Sequence, residues 1–120
     1  MVEKLEITGV HITVDADLEK YTRRKIGQLD RYASRKVRDS LHAEVRLKEG
    51  KAKDQKRCTC EVTLYLPHEV LNVSESAISM YAAIDIVETK LKIQLKKYKD
   101  RHGNPKLYRR IAKRLSRRQT

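Results

Sequence analysis

The fold is decided by the stretch from Ser79 to Arg101, which reads SMYAAIDIVETKLKIQLKKYKDR. Its apolar residues recur at spacings of three and four, the pattern of a helix with one face against a core. Ser79 is a suitable cap for the start of this helix. The expected core stripe consists of Met80, Ile84, Val87, Leu91, Leu95 and Tyr98. We therefore expect a closing amphipathic helix whose second half is crowded with lysines.

Three segments before this helix alternate between apolar and polar residues, which is typical of strands with one buried face. They are residues 41–49 (LHAEVRLKE), 58–66 (CTCEVTLYL) and 69–76 (EVLNVSES). A Pro-His pair between the second and third segments marks a tight turn. The three segments together predict an antiparallel meander.

A first strand and a first helix precede the meander. Residues 3–10 (EKLEITGV) alternate, with Leu5 and Ile7 on one side. Asp15 is a suitable N-cap, and the helix that follows it runs to about Tyr32. The apolar arc of this helix consists of Leu18, Tyr21, Ile26, Leu29 and Tyr32.

The predicted element order is β-α-β-β-β-α within a single domain, since 120 residues are too few for two cores. The crossover through the first helix makes the first two strands parallel if they are neighbours. We therefore expect an α+β two-layer sandwich with both helices on one face of a four-stranded sheet, an architecture like that of the double-stranded-RNA-binding domain.

Positive charge dominates the chain and is concentrated near its C-terminus. There are 28 Lys and Arg residues against 16 Asp and Glu, a net charge of +12. Residues 100–120 alone hold eight basic residues and one acid. Because a surface kept only for solubility mixes both signs, this asymmetry favours a polyanionic partner, and we interpret the protein as nucleic-acid-binding.

Basic residues flank the apolar stripe of each predicted helix. Two such helices side by side would bring one basic flank of each toward a shared groove, where positive potential suits phosphates or folded RNA. One flank of the closing helix holds Lys90, Lys97 and Arg101. The other flank, whose charge partly complements the helix dipole, holds Lys92, Lys96 and Lys99. The row on the first helix consists of Arg24, Gln28, Arg31 and Arg35, and Lys25 lies close to the apolar arc.

Two stretches carry a family resemblance. They are MYAAIDIVETKLKIQLKKYK (80–99) and ITVDADLEKYTRRKIGQLDRY (12–32), the second closing with a leucine, an acid, a base and an aromatic residue. Both resemble the ribosome hibernation-promoting factors, also called ribosome-associated inhibitors, whose element order is the one predicted above. The resemblance covers residues 4–101.

The resemblance implies a partner and a site. Members of the family bind the small ribosomal subunit in the channel that messenger and transfer RNA would occupy, near the decoding centre, and silence translation under stress. Basic residues of both helices meet ribosomal RNA. By position, the family's basic sites match Lys25, Arg31, Lys90 and Lys97.

The match to the family's contact pattern is incomplete in two places. Gln28 stands where a relative often has lysine. Lys92 and Ile93 replace the usual glutamate and arginine, which moves one charge to another flank. The full predicted RNA-binding set is Arg24, Lys25, Gln28, Arg31, Arg35, Lys90, Lys97 and Arg101.

A domain boundary is predicted after Arg101. We expect residues 1–101 to form the ribosome-binding domain and residues 102–120 to be a flexible basic tail, too short for the second domain of the family's long members. The chain thus resembles a short form. The tail either orders on RNA or adds only non-specific affinity, and both interpretations stay open. Its candidate RNA-binding residues are Arg109, Arg110, Lys113, Arg114, Arg117 and Arg118.

No residue pattern indicates an enzyme, a cofactor or a metal site. Cys58 and Cys60 lie two apart on one strand face, so we expect small core residues rather than metal ligands. No Walker-type phosphate loop, signal peptide or membrane-spanning run is recognisable in the sequence. We therefore expect a cytoplasmic, non-enzymatic protein that binds no cofactor and is monomeric off the ribosome.

Two other functions stay open. A generic structured-RNA or double-stranded-RNA-binding module fits the three strands and final helix, whereas an RNA-recognition motif does not, because the central strands offer only Tyr65 as an outward aromatic residue. A protein-interaction role as a modulator of transcription is the second alternative. It predicts binding that survives ribonuclease and depends little on salt.

Overall fold

A computed structural model of the chain describes residues 1–50 and 58–102, and it has the predicted element order with two short additions. The additions lie between the first helix and the second strand. They are a 3-10 turn, Gln28–Tyr32, and a short helix α2, Arg35–Arg38. The main elements are β1 Lys4–Val10, α1 Ala16–Gly27, β2 His42–Glu49, β3 Cys58–Leu66, β4 Glu69–Ala77 and α3 Met80–His102.

The four strands form one mixed sheet in the order β1-β2-β3-β4. β1 and β2 are parallel, as the crossover through α1 predicts, and the other two pairs are antiparallel. One row of paired residues crosses the whole sheet through Ile7, Val45, Val62 and Val73. This register places the apolar positions of all four strands on the same face, which confirms the predicted alternation.

The core lies between that face and the helices. The expected stripe of α3 is buried from Met80 to Tyr98, and Leu18, Ile26 and Leu29 bury the arc that begins in α1. The arc's two aromatic residues, Tyr21 and Tyr32, are only half-buried. Because both helices cover the same side of the sheet, the predicted α+β two-layer sandwich is confirmed and the other face of the sheet is open to solvent.

Side chains cap both long helices at their predicted starts. The backbone N–H of Leu18 donates to Asp15 Oδ1 at 2.8 Å, and the N–H of Ala82 donates to Ser79 Oγ at 3.1 Å. Each cap satisfies a backbone donor that the first helical turn leaves without a partner. The starts of α1 and α3 are thus set by local chemistry.

The α-helical part of the first helix ends at Gly27, earlier than the predicted end at about Tyr32. The carbonyl of Gly27 accepts a hydrogen bond from the N–H of Val2 at 3.0 Å. Met1 packs close to Gly27, where an added Cβ would lie 3.0 Å from its Cε. The N-terminal segment therefore covers the end of α1, and the chain continues to Tyr32 as a tighter 3-10 turn.

The turn between β3 and β4 is anchored from α3. Pro67 and His68 form the predicted tight turn, in which His68 has a φ of 71°. The hydroxyl of Tyr98 donates to the Pro67 carbonyl at 2.5 Å. Burial, with the negative charge of Glu69, raises the pKa of the Tyr98 phenol, so this donor stays protonated at neutral pH.

Candidate nucleic-acid interface

The two faces of the sandwich differ in charge. The open face of the sheet is balanced, with three basic and three acidic side chains: Lys4, Glu6, Glu44, Arg46, Lys48 and Glu61. The helical side is not, because residues 15–39 and 80–102 hold fourteen Lys and Arg against eight Asp and Glu. A polyanion is therefore attracted to the helical side.

α1 and the 3-10 turn pack beside α3, and the surface along this contact is called the groove here. It begins at a cluster of tyrosines. The rings of Tyr21 and Tyr81 meet edge to face with centroids 4.8 Å apart. The Tyr21 hydroxyl donates to Asp85 at 2.5 Å, and Lys25 Nζ lies 3.6 Å from the same carboxylate. The hydrogen bond to Asp85 raises the pKa of the Tyr21 phenol to about 12. This end of the groove is held together by polar contacts, and Asp85 offsets the charge of Lys25.

The second half of the groove is aromatic and cationic. Lys92 and Lys96 place their ammonium groups 5.0 Å and 5.7 Å from the centroid of the Tyr32 ring. Such contacts hold a cation in place without neutralising it. Within residues 1–50 and 58–102, neither lysine has a carboxylate partner. Both charges therefore remain available to phosphates.

Two cations on the opposite flank of α3 form ion pairs with the edge strand β4. Lys90 forms an ion pair with Glu75, and Arg101 Nη2 lies 2.6 Å from Glu69 Oε1. Lys97 is exposed, and its spacing from Lys90 puts it on the same side of the helix. Three residues of the predicted set therefore lie on the β4 side of α3, and the groove is lined by the other basic flank. Whether they contact RNA remains a prediction.

The predicted residues of α1 and its 3-10 turn do lie together. The Arg24 guanidinium lies 5.3 Å from the Tyr21 ring centroid, at the edge of the groove. Arg24, Gln28 and Arg31 also line a depression of about 350 Å³, to which Arg38 contributes a further positive charge and Asp30 a negative one. Arg35 lines a different pocket, beside α2. The predicted set is thus divided among the groove, the β4 flank and the α2 pocket.

The predicted RNA-binding set does not include Lys92, Lys96 or Tyr32, which line the groove, although one signal in the sequence points to them. Glu69 and Glu75 occupy the same alternate positions of β4 as its buried residues. Their side chains therefore lie on the helical side of this edge strand. Acids at inward positions of an edge strand indicate that the helix above it presents basic residues there. The remaining flank of α3 then faces α1.

One group of side chains in the described residues could hold a metal ion. Ligand atoms of Glu6, His42 and Glu44 lie within 4.8 Å of one another on the open face of the sheet, where Tyr65 also donates to Glu44 at 3.1 Å. This group lies on the face away from the groove. Cys58 and Cys60 are both buried, as predicted, and burial raises the pKa of the Cys60 thiol to about 12.

Two further observations concern the rest of the chain. No helix among the described residues has the length and apolar composition required to cross a membrane. The linker between β2 and β3 lies outside the described residues. So do the six candidate residues of the tail, which are Arg109, Arg110, Lys113, Arg114, Arg117 and Arg118.

The sequence pattern of one protein family, described as "Sigma 54 modulation protein / S30EA ribosomal protein", matches residues 5–103. A ribosome hibernation promotion factor from Lactococcus lactis subsp. cremoris is 36% identical over 98 residues, and one from Staphylococcus aureus is 32% identical over 98 residues. Each alignment covers 82% of this chain, but only 50% and 49% of the relatives. The chain thus spans about half the length of the curated relatives it matches.

Two solved structures resemble the fold. The N-terminal domain of Protein Y from Thermus thermophilus superposes with a TM-score of 0.67 at 27% identity, covering 78% of this chain and 94% of that domain. A ribosomal subunit interface protein from Coxiella burnetii has a TM-score of 0.65 at 25% identity, with 80% and 97% covered. Nearly the whole of each neighbour is therefore matched by this sandwich.

Proposed function

Because the chain belongs to the Sigma 54 modulation protein / S30EA ribosomal protein family, we propose that it is a ribosome hibernation factor. It binds the small ribosomal subunit in the channel for messenger and transfer RNA, near the decoding centre, and keeps both from binding. The relatives named as hibernation promotion factors support the role, and they belong to a class that acts by binding and not by catalysis.

The observation that carries this proposal is the groove between α1 and α3. Among residues 1–50 and 58–102, no carboxylate neutralises Lys92 and Lys96 where they lie over Tyr32, whereas the open face of the sheet is balanced. Tyrosine rings beside cations suit RNA, since a base can stack on the ring while its phosphate meets the charge. The helical side is therefore the surface that faces ribosomal RNA.

Charge neutralisation supplies most of the affinity, and shape supplies the choice of site. Each phosphate neutralised releases condensed counterions, so the logarithm of affinity falls linearly with the logarithm of salt concentration. With about six phosphate contacts the slope is about four to five. The six candidate cations are Arg24, Lys25, Arg31, Arg38, Lys92 and Lys96. Occupying the channel then excludes the other RNAs sterically, without a chemical step.

Lys90, Lys97 and Arg101 take a second place in this proposal. Lys97 has no ion-pair partner in the described part of the chain, so it meets a phosphate directly. Lys90 and Arg101 reach RNA only by giving up Glu75 and Glu69, so each contact there exchanges one charged partner for another. The exchange gains less than a new contact by Lys92, because an exposed ion pair must be broken first.

The test is sedimentation of the protein with separated ribosomal subunits. We expect it to sediment with the small subunit and not with the large one, and to be displaced when messenger and transfer RNA are bound beforehand. Equal sedimentation with both subunits, or no displacement, contradicts the proposed site. A duplex RNA competitor tests the generic RNA-binding alternative, which requires that free duplex compete as well as the intact subunit.

The transcription-modulator alternative and the tail have separate tests. Binding to a protein partner that persists after ribonuclease and at high salt supports the alternative, because counterion release would be absent. For the tail, we propose that the six candidate residues from Arg109 to Arg118 add RNA contacts. Replacing all six with glutamine in the full chain should weaken small-subunit binding and lower the salt slope, and unchanged affinity removes a binding role for them.

A further inference from the structure

A pocket of about 470 Å³ lies at the far end of α3, away from the tyrosine cluster of the groove. It is enclosed by three parts of the fold that are distant in sequence: α2 with the residue before it, the β3–β4 turn, and the last turns of α3. Its volume falls within the range of small-molecule sites in proteins. The pocket is therefore large enough for a ligand of the size of a mononucleotide.

The rim of this pocket is cationic. Arg35 and Lys36 of α2 lie on one side, and Lys99 of α3 lies on the other. No carboxylate is among the residues that line it, and within the described ranges none of these three cations has an ion-pair partner. Like charges brought together from two elements repel each other unless an anion lies between them. The arrangement is complementary to a phosphate group.

The floor of the pocket is apolar. Val37, Pro67 and Tyr98 line it, and the hydrogen bond from the Tyr98 hydroxyl to the Pro67 carbonyl holds the turn against the helix. The Ser34 hydroxyl makes no cap to α2 and also lines the pocket. A few polar groups above an apolar floor are what an organic ligand needs, because the floor buries its body while the charges orient its anionic end.

We propose that this pocket binds a nucleoside phosphate, with the phosphate between Arg35, Lys36 and Lys99 and the nucleoside against Val37, Pro67 and Tyr98. The nucleotide comes either from solution or from an RNA strand that leaves the groove at this end, since Lys99 lies on the same flank of α3 as Lys92. Binding of the free nucleotide does not require the ribosomal role, so the two proposals can fail separately.

The proposal is tested by nuclear magnetic resonance on the full chain labelled with ¹⁵N, titrated separately with adenosine 5′-monophosphate, adenosine, inorganic phosphate and a tetranucleotide of RNA. We expect the monophosphate to shift the amides of residues 34–37 and 98–99 and to bind about tenfold more tightly than adenosine or phosphate alone. If only the tetranucleotide shifts these amides, the nucleotide comes from RNA.

Paired variants separate the pocket from the general positive charge. Lys36→Gln with Lys99→Gln should weaken binding of the monophosphate by about tenfold, or binding of the tetranucleotide if that is the ligand. Lys4→Gln with Lys48→Gln removes the same charge from the open face of the sheet and should leave binding unchanged. The proposal is overturned if neither ligand shifts the pocket, if inorganic phosphate binds as tightly as the better of the two, or if both double variants weaken binding equally.

Discussion

The hydroxyl of Tyr21 donates a hydrogen bond of 2.5 Å to the carboxylate of Asp85, joining α1 to α3 across 64 positions of sequence. The same tyrosine packs edge to face on Tyr81, and the same carboxylate lies 3.6 Å from Lys25. This contact fixes which flank of α3 faces α1. The position of Lys92 and Lys96 in the groove follows from it, because they lie about two and three helical turns beyond Asp85 on that flank.

Tyr21→Phe should make stability less dependent on pH in the alkaline range. The hydrogen bond to Asp85 raises the folded-state pKa of Tyr21 from 10.0 to about 12. The bond therefore stabilises the folded state in full below pH 10, and this stabilisation is lost as pH rises through 12. We expect the variant to be less stable by about 0.5–1.5 kcal/mol at neutral pH, with the difference narrowing above pH 10. Urea unfolding at several pH values measures both. A difference that stays constant to pH 12 contradicts the assignment.

Asp85→Asn should raise affinity for RNA and lower stability slightly. The amide still offers Tyr21 an acceptor oxygen, but the negative charge that pairs with Lys25 is lost. We expect small-subunit affinity to rise about twofold to fivefold and stability to fall by less than about 1 kcal/mol. Glu61→Gln is the matched control, since Glu61 lies 3.9 Å from Arg46 on the open face of the sheet. An equal rise in both variants would mean that net charge alone determines affinity.

Gly9→Ala should destabilise the fold, whereas Gly27→Ala should not. A Cβ at Gly9 would lie 2.6 Å from the backbone oxygen of Ile12 and 3.0 Å from Val14 Cγ2, and a backbone atom cannot move aside cheaply. We expect a loss of about 1–3 kcal/mol. At Gly27 the nearest atom is the flexible end of Met1, and alanine favours the helix by up to about 1 kcal/mol. Urea denaturation of the two variants measures their free energies of unfolding. An equal loss of stability in both would contradict the prediction.

Cys60 should be unreactive until the protein unfolds. Its side chain is fully buried, and burial raises the pKa of the thiol to about 12, so the reactive thiolate is absent near neutral pH. In a Cys58→Ala variant, which leaves Cys60 as the only thiol, we expect Ellman's reagent at pH 8 to react at the rate of unfolding. Rapid labelling of the folded variant would show that β3 is not covered by the helices.

The elements of the fold could be predicted because each is encoded locally. The alternation over Cys58–Leu66 has the period of a strand, and its bounds in the structure are those predicted. Asp15 and Ser79 cap the helices at the expected positions through contacts three residues away. The parallel pairing of the first two strands follows from the crossover between them. None of these inferences needs knowledge of distant contacts.

The groove could not be assigned from sequence, because both flanks of α3 are basic. Which flank faces α1 depends on long-range contacts, namely Tyr21 with Asp85 on one side and Lys90 with Glu75 on the other. A helical pattern identifies the buried stripe but not the neighbours on either side of it. The early end of α1 was missed for a similar reason, since Val2 at the start of the chain takes the Gly27 carbonyl.

The most direct test of the account neutralises two lysines in the groove and two outside it. Lys92→Gln with Lys96→Gln removes the two positive charges over Tyr32, and Lys4→Gln with Lys48→Gln removes two exposed charges from the open face of the sheet. Affinity for the isolated small subunit is measured at several salt concentrations, after circular dichroism has shown that each variant is folded.

The account predicts that the groove variant binds about tenfold more weakly and that its salt slope is lower by about one and a half to two, because two phosphate contacts are lost. The open-face variant should bind as the unmodified protein does, with the same slope. If the open-face variant loses as much affinity as the groove variant, or the groove variant loses none, the helical side is not the surface that meets ribosomal RNA.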